Sequence, residues 1–310
     1  MSLARLPALP FESWEPTRKT LHLWVQIVGK MRLAASPPRN HWWHVPLYLD
    51  ARGLSTHRMH QNGISFEIAF DFIDHRLVAR TNRGETGSFA LVDGLSVADF
   101  DRSLHGVLSE LGVDVAIREE PYKIPDSPPF LDDREHASYD RDAVSRFWRI
   151  LDWSEGVLDD FAGWFSGKSS PVHLFWHSLD LAVTRFSGRL APAMPNADAV
   201  TREAYSQEVI SFGFWPGDEK TRQPAYYSYT APEPEGLRAH PLRPVEAYWQ
   251  SDGPLALLPY ESVRAAADPR RALLAFLQSA YDAGSLAAGW DRDGFRSSWS
   301  PPPEELEALA

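Results

Sequence analysis

One pattern runs through the chain twice: a long helix, a group of strands and a closing helix, then the same order again. Trp43-His44 opens the run W-H-V-P-L-Y-L-D-A-R-G and Trp176-His177 opens W-H-S-L-D-L-A-V-T-R-F; a single 133-residue offset carries Trp43 onto Trp176 and Arg52 onto Arg185. Ile64-Ser65-Phe66 is echoed by Ile210-Ser211-Phe212, and Phe89 to Val92 by Leu255 to Leu258. Such doubling confines the fold to two tandem, pseudo-equivalent units with a cleft between them.

The periodicities say what each unit contains. Leu21, Trp24, Val25, Val28 and Met31 recur at helical spacing, with Pro16 placed in the first turn and Pro37-Pro38 beyond the end. Ile64, Phe66, Ile68, Phe70 and Phe72 alternate with smaller or polar residues, the mark of a half-buried strand. Shorter strands are predicted at Val45 to Leu49, Leu77 to Thr81 and Phe89 to Val92, before a helix capped by Ser96 and ended by Gly112. The second unit repeats this with a helix from Asp140 to Phe165, strands within Pro171 to Arg189, at Glu208 to Phe214, Tyr226 to Thr230 and Leu255 to Leu258, and a helix opened by Asp268-Pro269. Strands fill both middles with no helix between them, so the fold class is α+β: helix, antiparallel sheet, helix in each unit. The expected boundaries are 1–120 for the first unit, 121–139 for a Pro-rich linker, 140–290 for the second unit and 291–310 for a polar tail, with one compact pseudo-two-fold domain as the alternative.

Composition narrows the partners. The formal charge is −11, a field that repels nucleic acid and anionic membrane surfaces, and no Lys/Arg-rich run stands out. There are no cysteines, which excludes disulfides, thiolate chemistry and Cys-type metal sites and fits a reducing compartment. The first residues lack a long apolar stretch, so no signal peptide is expected, and no run approaches the roughly 20 apolar residues of a membrane span. The expectation is a cytoplasmic protein with a small-molecule partner. Twelve Trp and sixteen Phe supply apolar cores or aromatic pocket walls.

The residues best suited to chemistry lie in the second unit. If Val172 to Arg189 is extended, His173, Phe175 and His177 share a face, and two imidazoles there can hold a divalent metal with Glu208 as third ligand. The plainer reading is a pair of hydrogen-bonded wall histidines. Asp180 points the other way unless the strand bends. Arg185 and Arg189, around Ser187-Gly188, suit a carboxylate or phosphate, or else an internal ion pair. Trp176 and Trp215 can wall an apolar pocket, or close a core edge. His41, His44, His57 and His60 read as solvent-exposed loop histidines. No nucleophile elbow, P-loop or EF-hand pattern occurs.

These residues also carry a resemblance. Pro16 to Leu33, Trp43 to Leu49, Phe66 to Phe72 with Asp74-His75, Val172 to Trp176, Asp180 to Arg189 and Gly213 to Gly217 are similar to the motifs of a bacterial family of uncharacterised proteins, over most of residues 11–285. The resemblance implies no reaction. It implies a glycine where this chain has His177 and a histidine where it has Gln207, which leaves His173, Glu208 and Asp180 as the family-level candidates. The functional expectation is therefore an enzyme acting on a small polar or acidic metabolite in an aromatic-lined cleft of the second unit. His173 would be its acid–base group or metal ligand, Glu208 and Asp180 its catalytic partners, and Trp176, Arg185, Arg189 and Trp215 its substrate contacts. The alternative is a non-catalytic small-molecule-binding protein.

Overall fold

Helix α1 (Phe11–Ala35) starts directly after Pro10, five residues before the predicted start, and carries Pro16 in its second turn. Then come β1 (Tyr48–Asp50), β2 (Gly53–Ser55), β3 (Met59–Gln61), β4 (Ile64–Asp71), β5 (Arg76–Thr81), β6 (Thr86–Ala90) and α2 (Val97–Glu110). The second half holds α3 (Arg141–Gly163), β7 (His173–Phe175), β8 (Asp180–Leu190), α4 (Ala199–Ala204), β9 (Gln207–Trp215), β10 (Ala225–Ala231), β11 (Tyr248–Trp249), β12 (Ala256–Pro259), α5 (Tyr260–Ala265) and α6 (Pro269–Ala287). This computed structural model describes residues 6–124 and 127–302; the expectations for residues 1–5, for Pro125-Asp126 in the predicted linker and for the tail beyond 302 lie outside the described residues.

The architecture is α+β with two antiparallel six-stranded sheets. One runs β1-β2-β4-β5-β6 with β3 paired to β4, the other β11-β12-β10-β9-β8-β7. Leu47 and Leu174 join them edge to edge through two backbone hydrogen bonds, 2.9 and 2.7 Å, in one antiparallel bridge. Pairing register splits the faces. Leu54, Phe70, Leu77 and Phe89 form one row, and Leu181, Phe214, Tyr226 and Leu258 another. Both rows face helices: Phe70 and Phe89 meet Phe100 of α2, and Tyr226 hydrogen-bonds Ser154 of α3 at 2.8 Å. One apolar cluster takes in these rows together with α1, α2, α3 and α6. On the opposite face lie Tyr48, Ser55, Ala69, Val78 and Ser88, and beyond the joint His173, Ala182, Gly213, Tyr227 and Leu257.

The rows align Leu54 with Leu181, Phe70 with Phe214 and Phe89 with Leu258 in pairing order, and the sequence echoes do not follow that register. Arg52 lies in the β1–β2 turn and Arg185 inside β8; Trp43 precedes β1, whereas Trp176 follows β7. The Ile-Ser-Phe echo falls on β4 and β9, which correspond in pairing order, but two residues out of the row register. The predicted linker is tied down on both sides of its undescribed pair. Tyr122 exchanges hydrogen bonds with Gln26 of α1, 2.7 and 3.1 Å, and the Ala98 amide of α2 donates to the Asp133 carbonyl at 2.9 Å.

Gly29 of α1 has no side chain because Trp176 lies on it. A Cβ there would fall inside the contact distance of three indole atoms, and the indole N–H donates to the Val45 carbonyl at 3.0 Å. On α3, burial first and then Asp159 and Asp152 push the Glu155 carboxyl up to about 7 from 4.5. The stability linked to that proton is fully present below pH 4.5 and lost once the pH has passed about 7. Glu155→Gln should therefore stabilise the fold at pH 8 by about 1 kcal/mol after allowing for solvent screening, raising the Tm there, and leave it unchanged at pH 4. Thermal unfolding at the two pH values checks this; an equal shift at both would refute the assignment.

Candidate anion-binding site

Between Glu15 and Asp50 the chain holds no acidic residue but five cations, Arg18, Lys19, Lys30, Arg32 and Arg39. Arg18 and Lys19 pair with Glu219 and Glu15, and Lys30 donates to the carbonyls of Arg118 and Glu120. Arg32 and Arg39, and Arg58 from the β2–β3 connection, form no ion pair among the described residues. These three guanidiniums surround a cleft of about 290 Å³ where α1 ends, on the face of the sheet that carries Tyr48. Its floor is Arg32, His44 and the half-buried Tyr48; its rim is Arg39, His57, Arg58 and His60, with Ser36 and Pro37. No Asp or Glu among the described residues lines it.

The floor is held by stacking. The His57 ring lies parallel to Tyr48 at 4.2 Å, and the Arg32 guanidinium carbon sits 5.3 Å from the Tyr48 ring centre. Arg32 is 7 % exposed, and its Nε is buried with no hydrogen-bond partner. Burial pulls its pKa down, opposed by the Tyr48 phenol. Burial and the neighbouring guanidiniums also hold His44 and His57 below their ordinary value, so both rings are neutral at pH 7 and the positive charge is that of the three arginines. Arg32 lies in the last turn of α1, whose end carries roughly half a negative charge. Three unpaired guanidiniums outweigh it.

Two connections shape the walls, and both store backbone strain. His57 adopts φ 52°, held by its amide on Ser55 Oγ (2.9 Å) and by Thr56 Oγ1 donating to its carbonyl (2.8 Å). His41 and Trp42 also have positive φ, 53° and 60°. Strained non-glycine residues of this kind concentrate at functional sites. The connection from α1 to β1, which supplies Arg39 and His44, is clamped onto the second half. The His41 amide donates to Glu203 at 2.9 Å and the Trp42 indole to the Val200 carbonyl at 3.0 Å. Lys168 Nζ donates to His41 Nε2 at 2.6 Å and to Gln207 Oε1 at 3.1 Å. Lys168 also lies over the rings of Phe186 and Trp43, at 4.6 and 5.4 Å.

The residues predicted as a site in the second unit are dispersed. His173 lies beside Tyr48 across the joint and is 1 % exposed; neither ring nitrogen has a partner, and burial pulls its pKa down to about 3. It is a buried, neutral wall residue. Glu208 accepts from Ser187 and Arg189, at 2.9 and 2.8 Å, and Arg189 also donates to the Ala288 and Gly289 carbonyls at the end of α6. Both serve structure. Arg185 is fully buried among Phe161, Phe165 and Tyr281 and donates to the Phe161 carbonyl; burial pulls its pKa down to about 9, and it forms no ion pair among the described residues. The strand ends at Phe175, so His177 sits in the turn while Asp180, paired opposite Phe175, returns to the face of His173. Asp180 accepts from Ser178 at 2.7 Å and from Tyr227, whose ring crosses β9 over Gly213. Trp176 fills the groove at Gly29, and Trp215 covers Ala225, Tyr227 and Leu257. No group of three or more His, Asp or Glu placed to hold one metal ion exists among the described residues, so His173, His177 and Glu208 do not form the proposed metal site. No described helix is long and apolar enough to cross a membrane.

Sequence reasoning set aside His44, His57 and His60 as loop residues and did not single out Arg32, Arg39, Arg58 or Tyr48. The signal it passed over is the acid-free interval from Pro16 to Leu49 in a chain of charge −11. Comparison with curated proteins finds no match, and comparison with solved structures finds none either. One family model matches residues 6–297, the greater part of the chain, which therefore belongs to the family of unknown function DUF5996.

Proposed function

We propose that this protein binds a small anionic metabolite, without transforming it, in the cleft at the end of α1. The observation that carries the reading is Arg32: a buried guanidinium with no carboxylate partner, one of three arginines around a cleft without a single acid. A buried charge left unpaired costs several kcal/mol, and an anionic ligand offsets that cost. On the reading that the halves are pseudo-equivalent, the matching corner of the second half lies between the α3–β7 and β8–β9 connections. His41, Trp43 and Lys168 fill it, and the corner in the first half is open. A cytoplasmic setting, with metabolites rather than nucleic acid or membranes as partners, fits a cysteine-free chain of charge −11.

No carboxylate among the described residues lines this cleft to pair with His44 or His57, so the binding reading rests on the arginines. Thermal unfolding with succinate, citrate or sulfate at constant ionic strength tests the proposal. The expected result is a Tm that climbs with anion concentration, as mass action requires, with the ligand recovered unchanged by NMR. Chloride and spermidine serve as controls. A Tm indifferent to every anion would end the reading, and a consumed ligand would replace binding with catalysis.

A further inference from the structure

We infer that this cleft selects dianions that carry no proton, such as sulfate, dicarboxylates and fully ionised phosphate monoesters, over hydrogen phosphate. The inference rests on the anion-binding reading and concerns which anions are accepted. Every charged group lining the cleft is a hydrogen-bond donor that cannot accept: Arg32, Arg39 and Arg58. The histidines add little acceptor capacity. His44 Nδ1 already accepts from the Arg39 amide at 3.1 Å, so its neutral ring carries the proton on Nε2 and offers only a donor. His60 Nδ1 shares a hydrogen bond with Ser65 Oγ at 3.1 Å, which leaves Nε2 as the ring's one free nitrogen. What remains is neutral and weak: the edge of His57, stacked on Tyr48, and the hydroxyls of Ser36 and Tyr48.

A fully ionised oxyanion presents only acceptors and is matched by such a lining. Hydrogen phosphate has the same tetrahedral shape and the same double charge but one O–H. Against arginine forks that donor finds no charged acceptor, only the neutral ring and hydroxyl acceptors at the edge, and a site whose charged groups all donate disfavours it for that reason. A carboxylate in the lining would remove the discrimination, and none is there.

Three probes isolate the proton. At pH 8, sulfate and methyl phosphate are dianions without an acidic proton, since the second ionisation of a phosphate monoester falls near pH 6, roughly. Inorganic phosphate at the same pH is a dianion with one. Titration calorimetry of the full-length protein at constant ionic strength is expected to give similar affinities for sulfate and methyl phosphate, with hydrogen phosphate at least tenfold weaker. Hydrogen phosphate binding as tightly as the other two would overturn the selectivity and leave the anion site standing. Succinate binding while all three tetrahedral anions fail would also overturn it. Failure of all four would remove the anion site itself.

Discussion

Arg32→Met is expected to weaken anion binding severely while leaving the free protein at least as stable as the wild type. The methionine keeps the unbranched stem that packs in the last turn of α1 and removes a charge that is 7 % exposed and has no carboxylate partner. Truncating one partner of a buried, hydrogen-bonded charge pair typically costs about 2–5 kcal/mol of binding, so affinity for sulfate or succinate should fall by roughly 30-fold or more. The free protein should gain, by about 1 kcal/mol, from losing an uncompensated buried cation. Denaturant midpoints and calorimetric titrations on the same preparations read both effects. A guanidinium that merely braces Tyr48 would give the opposite pattern: a less stable free protein whose affinity for anions is preserved.

Gly29→Ala is expected to be among the most destabilising single substitutions. Its new Cβ would enter the ring of Trp176, which is 7 % exposed and anchored through its indole N–H to the Val45 carbonyl. Neither side yields easily, because α1 is a buried helix and the tryptophan closes the β7–β8 turn against it. Overpacking of this kind typically costs about 1–3 kcal/mol, and a clash with a tethered indole belongs at the top of that range. The partner variant supplies the control. Adding Trp176→Leu to Gly29→Ala should recover part of the loss, because the two substitutions share one contact and their effects cannot add. Equal stability of Gly29→Ala and the wild type would show that the indole moves aside freely. The contact lies beside the Leu47–Leu174 bridge, so the variant should also loosen the joint between the sheets, which hydrogen exchange at those two amides would report.

Much of the secondary structure was legible because it is local. The alternation from Ile64 to Phe72 became β4, Ser96 caps α2 by accepting from the Asp99 amide, and Asp268 does the same for α6. Departures occurred where a local signal competes with burial. Pro16 reads as a first-turn residue, yet the helix extends back to Phe11 because Phe11 and Trp14 are buried. The short helices α4 and α5 carry too few turns for a periodicity to register. The predicted site residues are dispersed for a related reason. A strand pattern says which residues share a face, and says nothing about where the strand turns. The turn after Phe175 separates His173 from His177 and brings Asp180 round to the side it was expected to avoid.

Sequence alone determined the α+β class, the long helices, the principal strands and the acidic net charge, because periodicity and charge are written residue by residue. Tertiary structure alone decided where function can reside. It paired most of the chain's cations with acids or carbonyls and left Arg32, Arg39 and Arg58 together around one opening. Charge neutralisation and desolvation depend on which groups meet in space, and residues as far apart as Arg32 and Arg58 meet only after the β2–β3 connection has folded back over the end of α1.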